Sequence, residues 1–217
     1  MTCPGKAVDP APVWVAWARD TEWSARELLE AEAGRVTSTP LGDLRSGSSC
    51  PQCGSGTHGR PFLVTPPGRP VLHVSLSRAP GLVVVALTET GPVGVDVEPL
   101  AGASFDGFED VALHVCERAA GAAERTVTWV RKESLLKAAG RGLATDPRTV
   151  RLGSPRLPPE VLSWDRSGVA ADAGVWMYDV PDAAVGYVIG VTVLSRDRPA
   201  LVTRRAAAGG PSRPARP

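Results

Sequence analysis

The stretch from Trp129 to Leu143, W-V-R-K-E-S-L-L-K-A-A-G-R-G-L, constrains this chain more than any other. At about 100° of rotation per residue, Trp129, Glu133, Leu136 and Gly140 share one helical stripe, with Lys132 and Lys137 on its two edges. A carboxylate and two ammonium groups on a face marked by Trp and Leu are poorly placed for simple solvation. The chain has 21 Arg and only three Lys, and two of those Lys stand in this helix. Compact, mobile point charges are wanted here rather than planar guanidinium forks. The competing reading is a surface helix with an ordinary Glu133–Lys137 pair at i,i+4 spacing. Gly140-Arg141-Gly142 ends the helix, since Gly supplies a left-handed C-terminal turn.

A second constraint lies upstream. Gly81–Thr88 is a continuous apolar run and reads as a buried strand. The strand after it, V-G-V-D-V over Val93–Val97 and then Glu98-Pro99, sends Val95 and Val97 to one face and Asp96 and Glu98 to the other. Two carboxylates about 7 Å apart on one face can converge on a divalent cation, and without a counter-charge they repel. Gly94 lies on the same face and clears room beside them. A solvent-facing edge strand is the plainer alternative. In His73–Arg78, alternation puts His73, Ser75 and Ser77 on one face, and two hydroxyls beside Arg78 suit a phosphate or a simply wet strand face.

The remaining elements organise around these two. Val13–Ala18 reads as a strand. The run from Thr21 to Arg35 reads as a helix capped by Thr21 or Asp20 and ended by Gly34. Residues 37–57 read as loop, and Phe62–Val64 as extended. Phe105–Ala119 has helical spacing and is closed by Glu117. Short Pro-broken strands follow from Thr149 to Arg166, and Gly174–Val180 and Val185–Leu194 read as the last two strands. The expected fold is therefore α+β, with two pseudo-symmetric halves, each a helix packed on a small antiparallel sheet, and the active site in the cleft between them. The N-terminal half spans residues 1–92, the C-terminal half 93–200, and a disordered tail 201–217.

Charge and hydropathy narrow the function. A formal charge of +1 argues against a general nucleic-acid binder. No apolar run reaches about 18 residues, so no membrane span is expected. The first residues lack the apolar core of a secretion signal, so the expected location is cytoplasmic.

Cys50-Pro-Gln-Cys53-Gly with His58 downstream has the shape of a zinc knuckle. Cys50, Cys53 and His58 are candidate ligands, and Cys3 is a candidate fourth. A redox pair and a plain compact turn are the alternatives. Cys116 reads as a small core residue.

Together, Gly94–Glu98 and Trp129–Leu143 resemble the two-part signature of the Sfp-type 4′-phosphopantetheinyl transferases, G-(V/I)-D-(V/I)-E followed by W-x-x-K-E-x-x-x-K-x-x-G-x-G-L. Gly59-Arg60-Pro61 resembles that family's G-K-P element, with Arg60 in place of Lys. Val74–Ala79 resembles its F-N-L-S-H-S strand, with Ser75 and Arg78 in place of Asn and His. The resemblance spans residues 59–195. It implies a monomer that binds coenzyme A and Mg2+ in the cleft. The implied reaction transfers the phosphopantetheine arm to a serine hydroxyl of an apo acyl or peptidyl carrier protein, releases 3′,5′-ADP, and serves polyketide or nonribosomal-peptide synthesis.

By the same resemblance Asp96, Glu98 and Glu133 hold the metal, and Glu133 also accepts the serine proton. Lys137 neutralises the pyrophosphate with Lys132 as a second contact. Arg60, Ser77 and Arg78 meet the ribose 3′-phosphate, and Glu117 stands behind the metal site. The stretch before Gly59 is shorter than the family's usual helical section, with Arg35 and Arg45 as candidate substitutes for its basic contacts. Two other readings stay open: a catalytically weak member that binds coenzyme A or a carrier protein without turnover, and a zinc-containing interaction module.

Overall fold

Burial on both faces of the central strands of two small sheets sets the architecture. It is seen in a computed structural model that describes residues 9–50, 53–181 and 184–209. The chain runs β1 (Pro12–Ala18), α1 (Ala25–Thr37), β2 (Arg45–Ser49), β3 (Arg60–Val64), β4 (His73–Ala79), β5 (Leu82–Thr88) and β6 (Val93–Pro99). It continues with α2 (Phe108–Ala112), α3 (Ala122–Ala138), β7 (Arg151–Leu152), β8 (Val161–Ser163), β9 (Gly174–Asp179), β10 (Tyr187–Ser195) and β11 (Ala200–Arg205). One sheet has the order β11-β1-β5-β4 and the other β6-β10-β9, while β2-β3 and β7-β8 form two-stranded ribbons.

The two larger sheets face each other across one apolar layer. Val13, Val15, Val84 and Ala86 from the first meet Val95, Val97, Val191 and Val193 from the second. Each outer face carries a helix. Leu28, Leu29 and Ala33 of α1 pack on Ala16, Val83 and Val85. Leu135, Leu136 and Ala138 of α3 pack with Met177, Leu194 and Val150. The fold is the expected α+β arrangement of helices on small, mostly antiparallel sheets.

Several local expectations are corrected. The first helix begins later and ends later than the sequence suggests. Its cap is Ser24, whose hydroxyl accepts from Glu27 N at 3.2 Å while Glu27 Oε2 accepts from Ser24 N at 3.0 Å. This reciprocal box satisfies two of the free N–H groups that any helix start exposes, which Thr21 or Asp20 would not. The segment read as loop over 37–57 contains β2, which pairs in register with β3 from Arg45↔Val64 to Ser49↔Arg60. The long helix expected over Phe105–Ala119 is only the five residues of α2. The carbonyl of Ala112 at its end is taken by Lys132 Nζ at 2.7 Å, and Glu117 accepts from His114 N at 2.7 Å, so the chain is held in an irregular turn.

The tail reading is also corrected, for residues 201–205. They belong to β11, which lies parallel to β1 with Val13 opposite Leu201 and Ala16 opposite Arg204. Backbone pairing, rather than apolar bulk, holds this strand, assisted by Trp23 Nε1 donating to Ala207 O at 3.0 Å. Residues 210–217 of the expected tail lie outside the described residues.

The seat of α3 is set by two glycines. A Cβ on Gly94 of β6 would stand 1.9 Å from Ser134 O, and one on Gly190 of β10 would stand 2.9 Å from Val130 Cγ1. The room that Gly94 clears is thus filled by the helix backbone itself. Ser134 Oγ shares a hydrogen bond with Thr192 Oγ1 at 2.8 Å, which fixes the register of helix on sheet. Replacing Gly94 with Ala is expected to push α3 off β6, costing roughly 2–4 kcal/mol in urea unfolding, at or above the upper end of ordinary overpacking. A stability within experimental error of wild type would show that the close approach is not required.

Candidate active site

The end of α3 and the edge strands of the two sheets meet at one cleft. Helix α3 closes with Gly140 N donating to Lys137 O and Arg141 N donating to Leu136 O, both at 3.0 Å, and Gly140 has φ +72°. This is a Schellman turn, in which a left-handed Gly reverses the chain. Gly140 has a second role. A Cβ there would lie 2.9 Å from Arg60 Nη1, so its bare backbone leaves space for that guanidinium. Beside it opens a cleft of about 410 Å3, whose walls include Arg60, Ser75, Glu133, Lys137, Arg141 and Cys50.

Strand alternation and helix phase bring the charged groups together here. Lys137 Nζ contacts Asp96 Oδ1 at 2.5 Å, Ser77 Oγ at 3.1 Å and Val95 O at 3.2 Å. Ser77 Oγ donates to the same Asp96 oxygen at 2.8 Å. Ser75 Oγ accepts from Val95 N at 3.0 Å, so the hydroxyl face of β4 is fastened to β6. The hydroxyl of Ser77 thereby orients Asp96.

Three buried side-chain polar atoms lack a partner among the described residues, and two of them are Asp96 Oδ2 and Glu133 Oε1. Buried carboxylate oxygens are rarely left so, since each forfeits its hydration without return. Burial is the main cause that pushes Glu133 up from its ordinary 4.5 to about 7. Lys137 pulls the other way, and Asp96 and Glu98 add to the rise. Glu98 is half-buried and is also raised, first by burial and then by Asp96. An all-carboxylate set with unpartnered oxygens fits a hard divalent cation such as Mg2+. The three acids influence one another, but their oxygens do not come together within 4.8 Å. Among the described residues only Cys50, Cys53 and His58 meet that spacing. The positive charge beside Asp96 is that of Lys137.

Not every residue singled out in the sequence reaches this cleft. Lys132 is fully buried on the other edge of α3, where its ammonium meets Glu117 Oε2 at 2.6 Å and the carbonyls of Ala112, Pro147 and Val150 at 2.7, 3.0 and 2.8 Å. It has no donor left for a ligand. Glu117 in turn accepts from Leu152 N at 2.7 Å, so it serves this buried pair and not the acidic cluster. Lys132 stands one residue before Glu133, which turns it about 100° away. Arg78 is exposed, and alternation places it on the opposite face of β4 from Ser75 and Ser77. Arg60 is exposed at the cleft rim, and burial, followed by the charge of Arg60, lowers the pKa of His73. Arg141, which the sequence offered only as the middle of G-R-G, lines the cleft and pairs with Asp165 at 2.8 Å.

The Cys-rich turn also assembles. The ligand atoms of Cys50, Cys53 and His58 lie within 4.8 Å of one another, with Cys53 Sγ 3.3 Å from His58 Nε2. Cys3, the candidate fourth ligand, lies outside the described residues. Cys116 is exposed rather than a core residue. No helix among the described residues is long and apolar enough to cross a membrane.

A family model described as the 4′-phosphopantetheinyl transferase superfamily matches residues 92–188. That segment holds Asp96, Glu98, Glu133 and Lys137. The match supports this superfamily, and it supports phosphopantetheine transfer as the class of reaction. Nothing among the curated proteins matches the chain.

The raised pKa of Glu133 has a consequence for stability in protein stripped of divalent cations. Between pH 4.5 and about 7 the native carboxyl keeps a proton that the unfolded one has lost. Stability from this group therefore falls as pH rises through that window. Glu133→Gln removes the titration and is expected to be more stable than wild type at pH 8, by about 1–3 kcal/mol, with the difference shrinking toward pH 5. Parallel pH profiles of the two proteins in urea unfolding would contradict this. Lys132→Ala is expected to cost about 3–5 kcal/mol in the same assay by stranding Glu117. A stable variant weakened only in ligand binding would instead return Lys132 to the site.

Proposed function

We propose that this protein transfers the 4′-phosphopantetheine arm of coenzyme A to a serine hydroxyl of an apo carrier protein, as Sfp-type transferases do. The observation that carries the reading is the pair of buried, unpartnered carboxylate oxygens on Asp96 and Glu133, set against Lys137 at the mouth of one cleft. Asp96, Glu98 and Glu133 would hold Mg2+, which when bound offsets negative charge on a pyrophosphate.

The protein's own groups supply the rest. Arg60, whose guanidinium is housed beside Gly140, receives the ribose 3′-phosphate through a fork that can bond two oxygens. Lys137 exchanges Asp96 for a pyrophosphate oxygen, a movement that a flexible ammonium makes more readily than a guanidinium. Glu133 accepts the proton of the attacking serine. The serine oxygen forms a bond to the β-phosphorus, the bridging P–O bond breaks, and 3′,5′-ADP leaves with the electron pair. Ser77 holds Asp96 in place throughout.

The carrier would be an acyl or peptidyl carrier protein of polyketide or nonribosomal-peptide synthesis, docking beside the cleft, with the enzyme acting as a monomer. Mg2+-dependent labelling of an apo carrier protein by fluorescent coenzyme A tests this. Asp96→Ala and Glu133→Ala are each expected to lower the rate by at least about a hundredfold. Failure of folded wild type on several unrelated carriers would sink the enzyme reading. Binding of coenzyme A by calorimetry without product would favour a catalytically weak member.

A further inference from the structure

The ribbon β2-β3 is two-stranded and joins neither larger sheet. Such a ribbon is marginal in water without a further tie. Its last register pair is Ser49↔Arg60, and residues 50–59 close the end. Its described residues form no helix or strand, and the segment has little apolar bulk beyond Cys50, yet one of its ends positions Arg60 at the cleft. Cys50 follows β2 directly and is buried, whereas Cys53 and His58 are exposed. Nevertheless their ligand atoms converge within 4.8 Å.

The backbone is folded to allow this. Gly54 N donates to Cys50 O at 2.8 Å and Cys50 N donates to Ser55 O at 3.0 Å, turning the chain back after Cys53. Gly59, with φ +101°, lies so close that a Cβ would stand 2.6 Å from Cys50 Cα. The start and end of the segment are thus pressed together. Two thiolates and an imidazole in this arrangement are soft and borderline donors, which select zinc over the hard cation suited to the carboxylate cluster.

We infer that Cys50, Cys53 and His58 form a zinc site that clamps the open end of the β2-β3 ribbon and thereby fixes Arg60 at the rim of the cleft. Cys50 and Arg60 line the same cavity, so the metal stands behind the wall on which a coenzyme A phosphate would rest. Zinc binding stands without the transferase reading; its effect on coenzyme A rests on that reading. The clamp acts by holding the closing segment in one arrangement, which a flexible loop of this length would otherwise resist by its entropy.

Metal analysis of the full chain, purified without chelator, is expected to find roughly one zinc per molecule, with less than about a tenth retained in Cys53→Ser and in His58→Ala. Both residues are exposed, so each variant is expected to fold, and circular dichroism checks this. Cobalt replacement is expected to give a thiolate-to-cobalt absorption band in wild type that is all but lost in Cys53→Ser, which no longer retains the metal. No zinc and no such band in wild type, or a Cys50–Cys53 disulfide in the purified protein, would overturn the site.

Removing zinc from wild type is expected to raise the Kd for coenzyme A roughly tenfold, and Arg60→Ala is expected to abolish that dependence. Zinc bound but without effect on this Kd overturns the coupling to Arg60. A zinc-loaded protein that binds no coenzyme A at all overturns the transferase reading and leaves the metal site intact.

Discussion

The close approach of α3 to the second sheet governs the rest of the molecule. At Gly94 the helix backbone rests directly on the strand, and at Gly190 only Val130 of the helix, side chain and backbone together, fills the space a Cβ would take. One face of a helix can approach a sheet this closely only along one line, so the phase of every residue on α3 is then fixed. Lys137 comes down over Asp96, Glu133 turns toward the cleft, and Lys132 is carried to the far edge. A helix held off by ordinary side chains would rest farther out and lose the contact between its ammonium and the strand carboxylate.

That phase sorts the buried charges on α3 into two kinds. Arg131 is nearly inaccessible and is fully engaged, with Asp179 taking Nε at 3.0 Å and Nη2 at 2.6 Å and Leu157 O taking Nη2 at 2.9 Å. Lys132 is equally committed to Glu117 and three carbonyls. Fully satisfied groups of this sort rigidify what surrounds them. The third group, Lys137 with Asp96 and Glu133, is satisfied only in part. Proteins seldom tolerate such a deficit unless it serves binding or chemistry. The first two networks hold the helix still, and the third is what is held.

Much of this was legible in the residues. The period-2 pattern of V-G-V-D-V fixed which face Asp96 shares, and the 3.6 period of α3 separated Lys132 from Lys137 onto opposite edges. What periodicity did not convey was the destination of each edge. Lys132 and Lys137 carry the same charge and flank Glu133 in sequence, and only tertiary packing tells that one meets carbonyls from α2 and the turns after α3 while the other meets β4 and β6. Phe105–Ala119 misled because Phe105 and Phe108 are apolar for packing edge-on with each other and with Trp129 of α3, with centroids 5.4 to 6.4 Å apart, and not for continuing a helix. Ser24 was hidden by the earlier capping candidates. β11 was hidden because a strand held by its backbone ladder needs no apolar signature.

That last strand alters how the early and late parts of the chain relate in time. β1 lies between β5 and β11, and its parallel neighbour is almost a whole chain length away. During synthesis the first sheet emerges early but keeps one edge open until the second half has been made and has passed beneath it. The earlier half therefore waits for the later one. The N–H and C=O groups along that edge of β1 are the part of the nascent chain most exposed to a wrong partner in the meantime.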